Sequence, residues 1–325
     1  MLNRFPRLPV DTFVLALLVV VAFATVLPAR GAAAEALSVA TKVAIALLFA
    51  LYGARLSPTQ AWHGLRHWRL HLLVLAATFV TFPLLGLAAR VLVPTILTPD
   101  LYTGLLFLCL VPSTVQSSIA FTSIAHGNVP AAIVSASLSN MLGVVATPLL
   151  AVLLMHANGA PRVDGSAVLD IVAQLLLPFF VGQLLRPWVA GWVHRHTLMT
   201  KAFDRGSILL VVYTAFSISM AEHIWSTLSP LRIVAVAVVC TALLAGMLGI
   251  TVGTARLARL NRADATVLLF CGSKKSLASG LPMALVLFPN ASVGLIMLPL
   301  MIFHQIQLLV CAVIASRLSR TVPVG

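Results

Sequence analysis

From Thr12 to about Ser316 the chain is a succession of apolar runs, and no other feature restricts its fold so strongly. A helix rises 1.5 Å per residue, so about 17–25 apolar residues are needed to cross a bilayer core. Runs of that size fall near 12–28, 36–56, 70–92, 100–125, 130–156, 167–186, 206–224, 231–255, 263–288 and 291–316. Ten helices are therefore expected, joined by short connections, with no stretch large enough for a separate soluble domain. Composition agrees: 60% of the 325 residues are hydrophobic, 9% are charged, and the mean hydropathy is +1.06. An ordinary soluble domain is about 25% charged; eight Asp and Glu cannot clothe a soluble protein of this length. The expected class is an all-α polytopic membrane protein with lipid as its main partner.

The net charge of +13 would suggest a nucleic-acid partner in a soluble protein. Its distribution argues otherwise. With both termini placed inside, the inner segments hold 14 of the 21 Lys and Arg. The outer loops hold four, Arg30, Arg90, Arg162 and Arg232. That is the bias of the positive-inside rule, so the charge reports topology and no nucleic acid is expected. All five tryptophans (Trp62, Trp68, Trp188, Trp192, Trp225) fall at or beside run ends, where amphipathic rings settle at headgroup depth. The basic start, first apolar run and Ala-rich stretch after Gly31 imitate a signal peptide. That run is long for one, and its loss would leave an unpaired set of helices, so it reads as the first span. Four cysteines lie singly inside apolar runs without CxxC spacing, which argues against a disulfide framework or a zinc site.

Three lysines escape the topological account: Lys42, Lys274 and Lys275 lie inside apolar runs. Two of them sit in an unusual place. A shift of 162 residues pairs Leu106 with Leu268, Cys109 with Cys271, Ser117 with Ser279 and Asn128 with Asn290. It also aligns the fourth run with the ninth, and both are interrupted. Five runs separate equivalent positions, and an odd number turns the second half upside down. The expected organisation is a first five-helix repeat over 1–160 and a second, inverted one over 161–325, built as one transmembrane unit.

The interruptions carry the polar chemistry. The first is Pro112-Ser113-Thr114-Val115-Gln116-Ser117-Ser118, where Pro112 lacks the amide hydrogen a helix needs. The second is Gly272-Ser273-Lys274-Lys275-Ser276-Leu277-Ala278-Ser279-Gly280. Freed backbone groups must find partners where bulk water is absent. Each mid-span lysine costs about 2.5–3.5 kcal/mol unless it faces water or a partner. The competing reading is a cytoplasmic loop between two short spans, which would spoil both the repeat and the charge bias.

On these residues the chain resembles the bile acid:sodium symporter superfamily, in its bacterial SBF-like branch. The resemblance spans nearly the whole length. It rests on Val111-Pro112-Ser113-Thr114, Gly127-Asn128-Val129, Ser139-Asn140, Thr147-Pro148 and Phe270-Cys271-Gly272-Ser273-Lys274-Lys275-Ser276. It implies ten helices in two inverted repeats of five, divided into panel and core domains. The discontinuous fourth and ninth helices would cross in the core, and transport would proceed by alternating access in the bacterial inner membrane. It also implies sodium near the crossing and on the fifth helix, with Asn128, Ser139 and Asn140 as the matching candidates; no other cofactor is implied. The symporters of that superfamily keep an acid and then a glutamine on the ninth helix; here Ser273 and Leu277 stand in those places. None of the chain's eight acids is assigned to either broken helix, so a carboxylate-anchored sodium site is not expected. Sodium would then be held by carbonyls and hydroxyls alone. Alternatively, Lys274 or Lys275 would serve as a built-in cation, attracting an anionic substrate or exchanging a proton.

A small organic anion is the favoured substrate. Candidate substrate or ion ligands are Ser113, Thr114, Gln116, Ser117, Asn128, Ser139, Asn140, Ser273, Lys274, Lys275, Ser276, Ser279 and Gln305. His304, Gln305 and Gln307 in the last run either line the path or bond to the broken ninth helix. Lys42 is placed slightly in favour of the cavity between domains. His63, His67 and His71 recur every four residues, but interleaved Arg66 and Arg69 mark a basic loop more than a metal face. No HExxH, GxSxG or phosphate-loop motif occurs, so an enzyme is not expected; a passive channel or regulatory protein on the same fold is the alternative.

Overall fold

The computed structural model describes residues 12–55, 67–156, 172–221, 229–288 and 293–320. Every regular element among them is helical. We number these α1 (Thr12–Val26), α2 (Ala32–Arg55), α3 (Trp68–Leu92), α4 (Pro99–Leu110), α5 (Gln116–Ile124) and α6 (Val129–His156). After a π turn at Val172–Leu176 come α7 (Leu177–Arg195), α8 (Thr197–Ala221), α9 (Pro230–Leu257), α10 (Arg262–Gly272), α11 (Leu277–Leu287) and α12 (Val293–Ser319). Five of them, α2, α3, α6, α9 and α12, are long and apolar enough to cross a membrane. The fourth and ninth apolar runs each resolve into two short helices, α4 with α5 and α10 with α11.

Two packing groups stand out. In one, α2 lies along α7, and α1 and α2 pack on α8. The α2–α7 contact is backbone on backbone: a Cβ on Gly53 would strike the Phe179 carbonyl, and one on Gly182 would strike the Ala50 carbonyl. Small residues permit such approach where lipid tails give helices no hydrophobic drive to associate. In the other group α4 packs on α12, α9 on α10 and α12, and α5, α6 and α10 on one another. α8 touches α11 and α12, joining the groups. Large apolar side chains such as Leu153, Leu184, Val238 and Val313 remain exposed around the perimeter. In water such a surface would drive association; in lipid it is the ordinary outer face. Trp68, Trp188 and Trp192 are exposed on that surface, while Trp62 and Trp225 lie outside the described residues. Lys42 is exposed on α2 and outside the central cavity, which corrects its expected placement.

One irregularity bears on the site. Within α3 a π turn spans Ala77–Thr81, and the Phe82 amide bonds back to the Ala77 carbonyl. The next amide in that pattern belongs to Pro83, which has no hydrogen to give. The Thr78 carbonyl is therefore left without a helical donor.

Candidate functional site

The two breaks lie against each other, and each completes the other's backbone hydrogen bonding. A helix end leaves carbonyls without partners, and in a membrane interior these must be met by protein. Along the first break five consecutive carbonyls have named donors. Cys109 and Val111 accept from Lys275 Nζ at 2.8 Å each. Leu110 accepts from Thr147 Oγ1 at 2.9 Å, Pro112 from the Ser276 amide at 2.8 Å, and Ser113 from Asn140 Nδ2 at 2.7 Å. The second break is met in the same manner. Cys271 accepts from Ser113 Oγ at 2.6 Å and Phe270 from Ser118 Oγ at 3.0 Å. The helices that follow each break supply the rest: Ser139 on α6 holds the Ser113 amide at 3.0 Å, and Gln307 on α12 holds both the amide and the carbonyl of Lys275 at 2.8 Å.

Lys274 and Lys275 are both fully buried and both face the junction of the two breaks, so this segment is not a solvent-exposed loop. They face different sides of it. Lys275 Nζ donates to the Thr78, Cys109 and Val111 carbonyls and lies 4.2 Å from the centroid of the Phe82 ring. Lys274 Nζ donates to Ser117 Oγ at 2.9 Å and lies 4.3 Å from the Phe121 ring centroid.

Ser117 and Phe121 also line a cavity of about 960 Å³. The Lys274 ammonium thus stands one side chain behind the cavity wall. Thr114, Gln116, Ser117, Asn140, Ser276, Ser279 and His304 face the same space. The remaining polar lining is Ser137 on α6 and, from the end of α2 and the start of α8, Tyr52, Arg55, Lys201, Asp204 and Arg205. Arg55 and Asp204 form an ion pair at 2.5 Å, so cations outnumber acids three to one at that part of the wall. The amino-terminal turns of α5 and α11 open onto the cavity as well, through Gln116, Ser117, Leu277 and Ala278. Such ends carry roughly half a positive charge each.

Of the residues singled out in the sequence, Ser113, Thr114, Gln116, Ser117, Ser139, Asn140, Lys274, Lys275, Ser276 and Ser279 are brought together at the crossing or on the cavity wall. Ser273 lies at the break but turns its hydroxyl back to the Leu269 carbonyl of its own helix, at 2.5 Å. Asn128 sits apart, just ahead of α6, where its amide reaches Asp264 Oδ1 in the first turn of α10 at 2.8 Å and its oxygen accepts the Ala131 amide. Acids do therefore occur in the broken helices, which corrects the sequence assignment. Asp100 lies in the first turn of α4 and Asp264 in the first turn of α10, each at the far end of its half-helix from the break. Gln305 is half-buried and does not line the cavity. Its neighbours take the two roles: His304 lines the cavity and Gln307 bonds to the second break. Helical spacing held that signal, since positions three apart share a face and adjacent ones do not. Thr78, Phe82 and Pro83 were not singled out at all. His71 is buried and bonded to Ser135 at 2.7 Å, His67 is exposed, and His63 lies outside the described residues.

Comparison with known proteins adds to this geometry. The sequence profile of the SBF-like CPA transporter family matches residues 11–320. The protein PA2026 of Pseudomonas aeruginosa is 51% identical over 315 residues, covering 97% of this chain and 95% of that one. The "Putative symporter YfeH" of Escherichia coli K12 is 49% identical over 312 residues, 95% and 93% of the two chains. The sodium/bile acid cotransporter 7-A of Xenopus laevis is 28% identical over 315 residues, 95% and 91% of the two chains.

Proposed function

The chain belongs to the SBF-like CPA transporter family, and from that premise we propose that it is a secondary active transporter moving a small organic anion by alternating access. The observation that carries the proposal is the cavity. Its volume of about 960 Å³ is in the range of small-molecule sites, roughly 300–1,000 Å³. Two half-helix amino termini, the Lys274 ammonium behind the wall and the cationic excess of Arg55, Lys201 and Arg205 over Asp204 all favour a negatively charged solute. Desolvated charge acts strongly there, because Coulomb energy rises as the effective dielectric falls.

The architecture that goes with this reading is ten spans in two inverted repeats, 1–160 and 161–325. α1, α2, α7 and α8 would form a panel and the remaining helices a core, with the cavity between them. The packing groups support it, as does the recurrence of a broken helix fourth in each half. The membrane would be the bacterial cytoplasmic membrane, with both termini inside, as the distribution of basic residues suggests. The family, YfeH and the cotransporter 7-A are named for transport, and we read this chain as a transporter with no enzymatic role. Coupling to sodium would use the oxygen-rich strip of Ser139, Asn140 and Ser279, with Asn128 apart from them, ahead of α6 and bonded to Asp264. Coupling to protons would use Lys274.

Reconstitution in proteoliposomes tests the reading. Uptake of a panel of organic anions is expected to saturate and to follow an imposed sodium or pH gradient. Conductance that does not saturate would instead favour a channel. The Lys274→Ala variant is expected to take up anion about tenfold more slowly at low concentration, equivalent to ~1.4 kcal/mol. Unchanged uptake by that variant would remove Lys274 from the substrate site.

A further inference from the structure

The two adjacent lysines do different things, and the second is not explained by an anion cavity. Lys275 Nζ has three hydrogens and meets three backbone carbonyls: Thr78 at 2.9 Å, Cys109 at 2.8 Å and Val111 at 2.8 Å. The Phe82 ring covers it from a further side, with its centroid 4.2 Å away. Neither it nor any of these four partners lines the central cavity. Each acceptor exists for a reason in the sequence. Thr78 is freed by the π turn and Pro83. Cys109 and Val111 are freed where α4 ends before Pro112 and the Ser113 amide turns to Ser139. The carboxyl-terminal end of α4 adds its negative partial charge in the same place. Converging carbonyls with an aromatic face are what proteins offer a dehydrated monovalent cation. A neutral ligand would leave that field unused, and an anion would be repelled by it.

We propose that this carbonyl cage is a monovalent-cation site that the chain fills with its own ammonium. Lys275 is a tethered cation: it neutralises the end of α4 and pins α3 and the two breaks together. The site has no need of an ion from solution, whatever ion is coupled elsewhere. The proposal does not depend on which solute the cavity carries. It also separates the lysine pair, since Lys274 contacts a hydroxyl at the cavity wall while Lys275 replaces an ion behind it.

Removal of the side chain should therefore open a vacancy that small cations can fill. The test is thermal unfolding of purified Lys275→Ala, beside wild type and Lys274→Ala, in chloride salts of choline, sodium, potassium, ammonium and methylammonium. Lys275→Ala should melt lower in choline and recover by about 2–4 °C in at least one small cation, saturably and beyond any shift of the wild type. Lys274→Ala should show no such excess. Lys275→Gln keeps two N–H donors and provides a folded background should the alanine variant fail to accumulate. It should show the same selective recovery with smaller amplitude. A folded Lys275 variant whose melting responds to these salts no more than the wild type does would overturn the proposal.

Discussion

The first and second breaks occupy equivalent positions, and the offset of 162 makes Ser113 the counterpart of Lys275. Their bonds match as well as their positions. Ser113 Oγ donates to the carbonyl of Cys271, and Lys275 Nζ donates to the carbonyl of Cys109, which is the equivalent cysteine. In both halves the amide of that residue is held by a polar side chain on the helix closing the half, Ser139 or Gln307. What differs is reach and charge. A hydroxyl stops at one carbonyl; the four-carbon arm of a lysine goes on to Val111 and Thr78. A near-symmetric pair of breaks therefore holds an asymmetric electrostatic centre, with the lysines at the second break alone.

Variants can break that comparison in order of expected effect. Lys275→Ala should be the most damaging to stability, since each buried acceptor left unpaired costs about 1–3 kcal/mol; melting in choline should fall furthest for this variant. Gln307→Leu removes two hydrogen bonds from the Lys275 backbone, and at about 1 kcal/mol for each net bond it should be intermediate. Ser113→Ala loses one donor and should be the mildest, about 1 kcal/mol. Equal losses for Ser113→Ala and Lys275→Ala would mean that the ammonium adds nothing beyond what a hydroxyl supplies. Lys274→Ala sharpens the contrast in a different observable: anion uptake should fall while the melting temperature changes less than for Lys275→Ala. The smallest effect is expected at the start of α8, where Lys201→Gln or Arg205→Gln should raise the half-saturating anion concentration modestly. High salt should erase that difference, because partly exposed charges are screened over about 8–10 Å.

Much of this centre was legible in advance. Pro112 and two lysines in an apolar run mark interruptions whatever the fold, because a missing amide and a buried charge demand partners. The serines around them followed for the same reason. Asn128 and Gln305 show where such reading stops. Asn128 is an ion ligand only as the family resemblance implies, and its amide bonds Asp264, a residue 136 positions away. Gln305 and Gln307 are the same residue type two positions apart, and only the rotation of α12 against the second break selects Gln307. Composition cannot express that rotation.

The sequence by itself determined that the chain is helical and membrane-embedded and that two of its apolar runs are broken by polar residues; the sixth and seventh runs, expected near 167–186 and 206–224, are helical over Leu177–Arg195 and Thr197–Ala221 instead. The helical class and the breaks are consequences of local chemistry: hydrophobic length, proline, and the cost of unpartnered polar groups in lipid. Tertiary structure alone decided which lysine faces the cavity and which fills the carbonyl cage. Lys274 and Lys275 are adjacent, identical in type and equally buried, so nothing in one dimension distinguishes them. Both lie in the non-helical stretch between α10 and α11, and its course, with a Thr78 carbonyl brought in from α3, gives the two ammonium groups different partners.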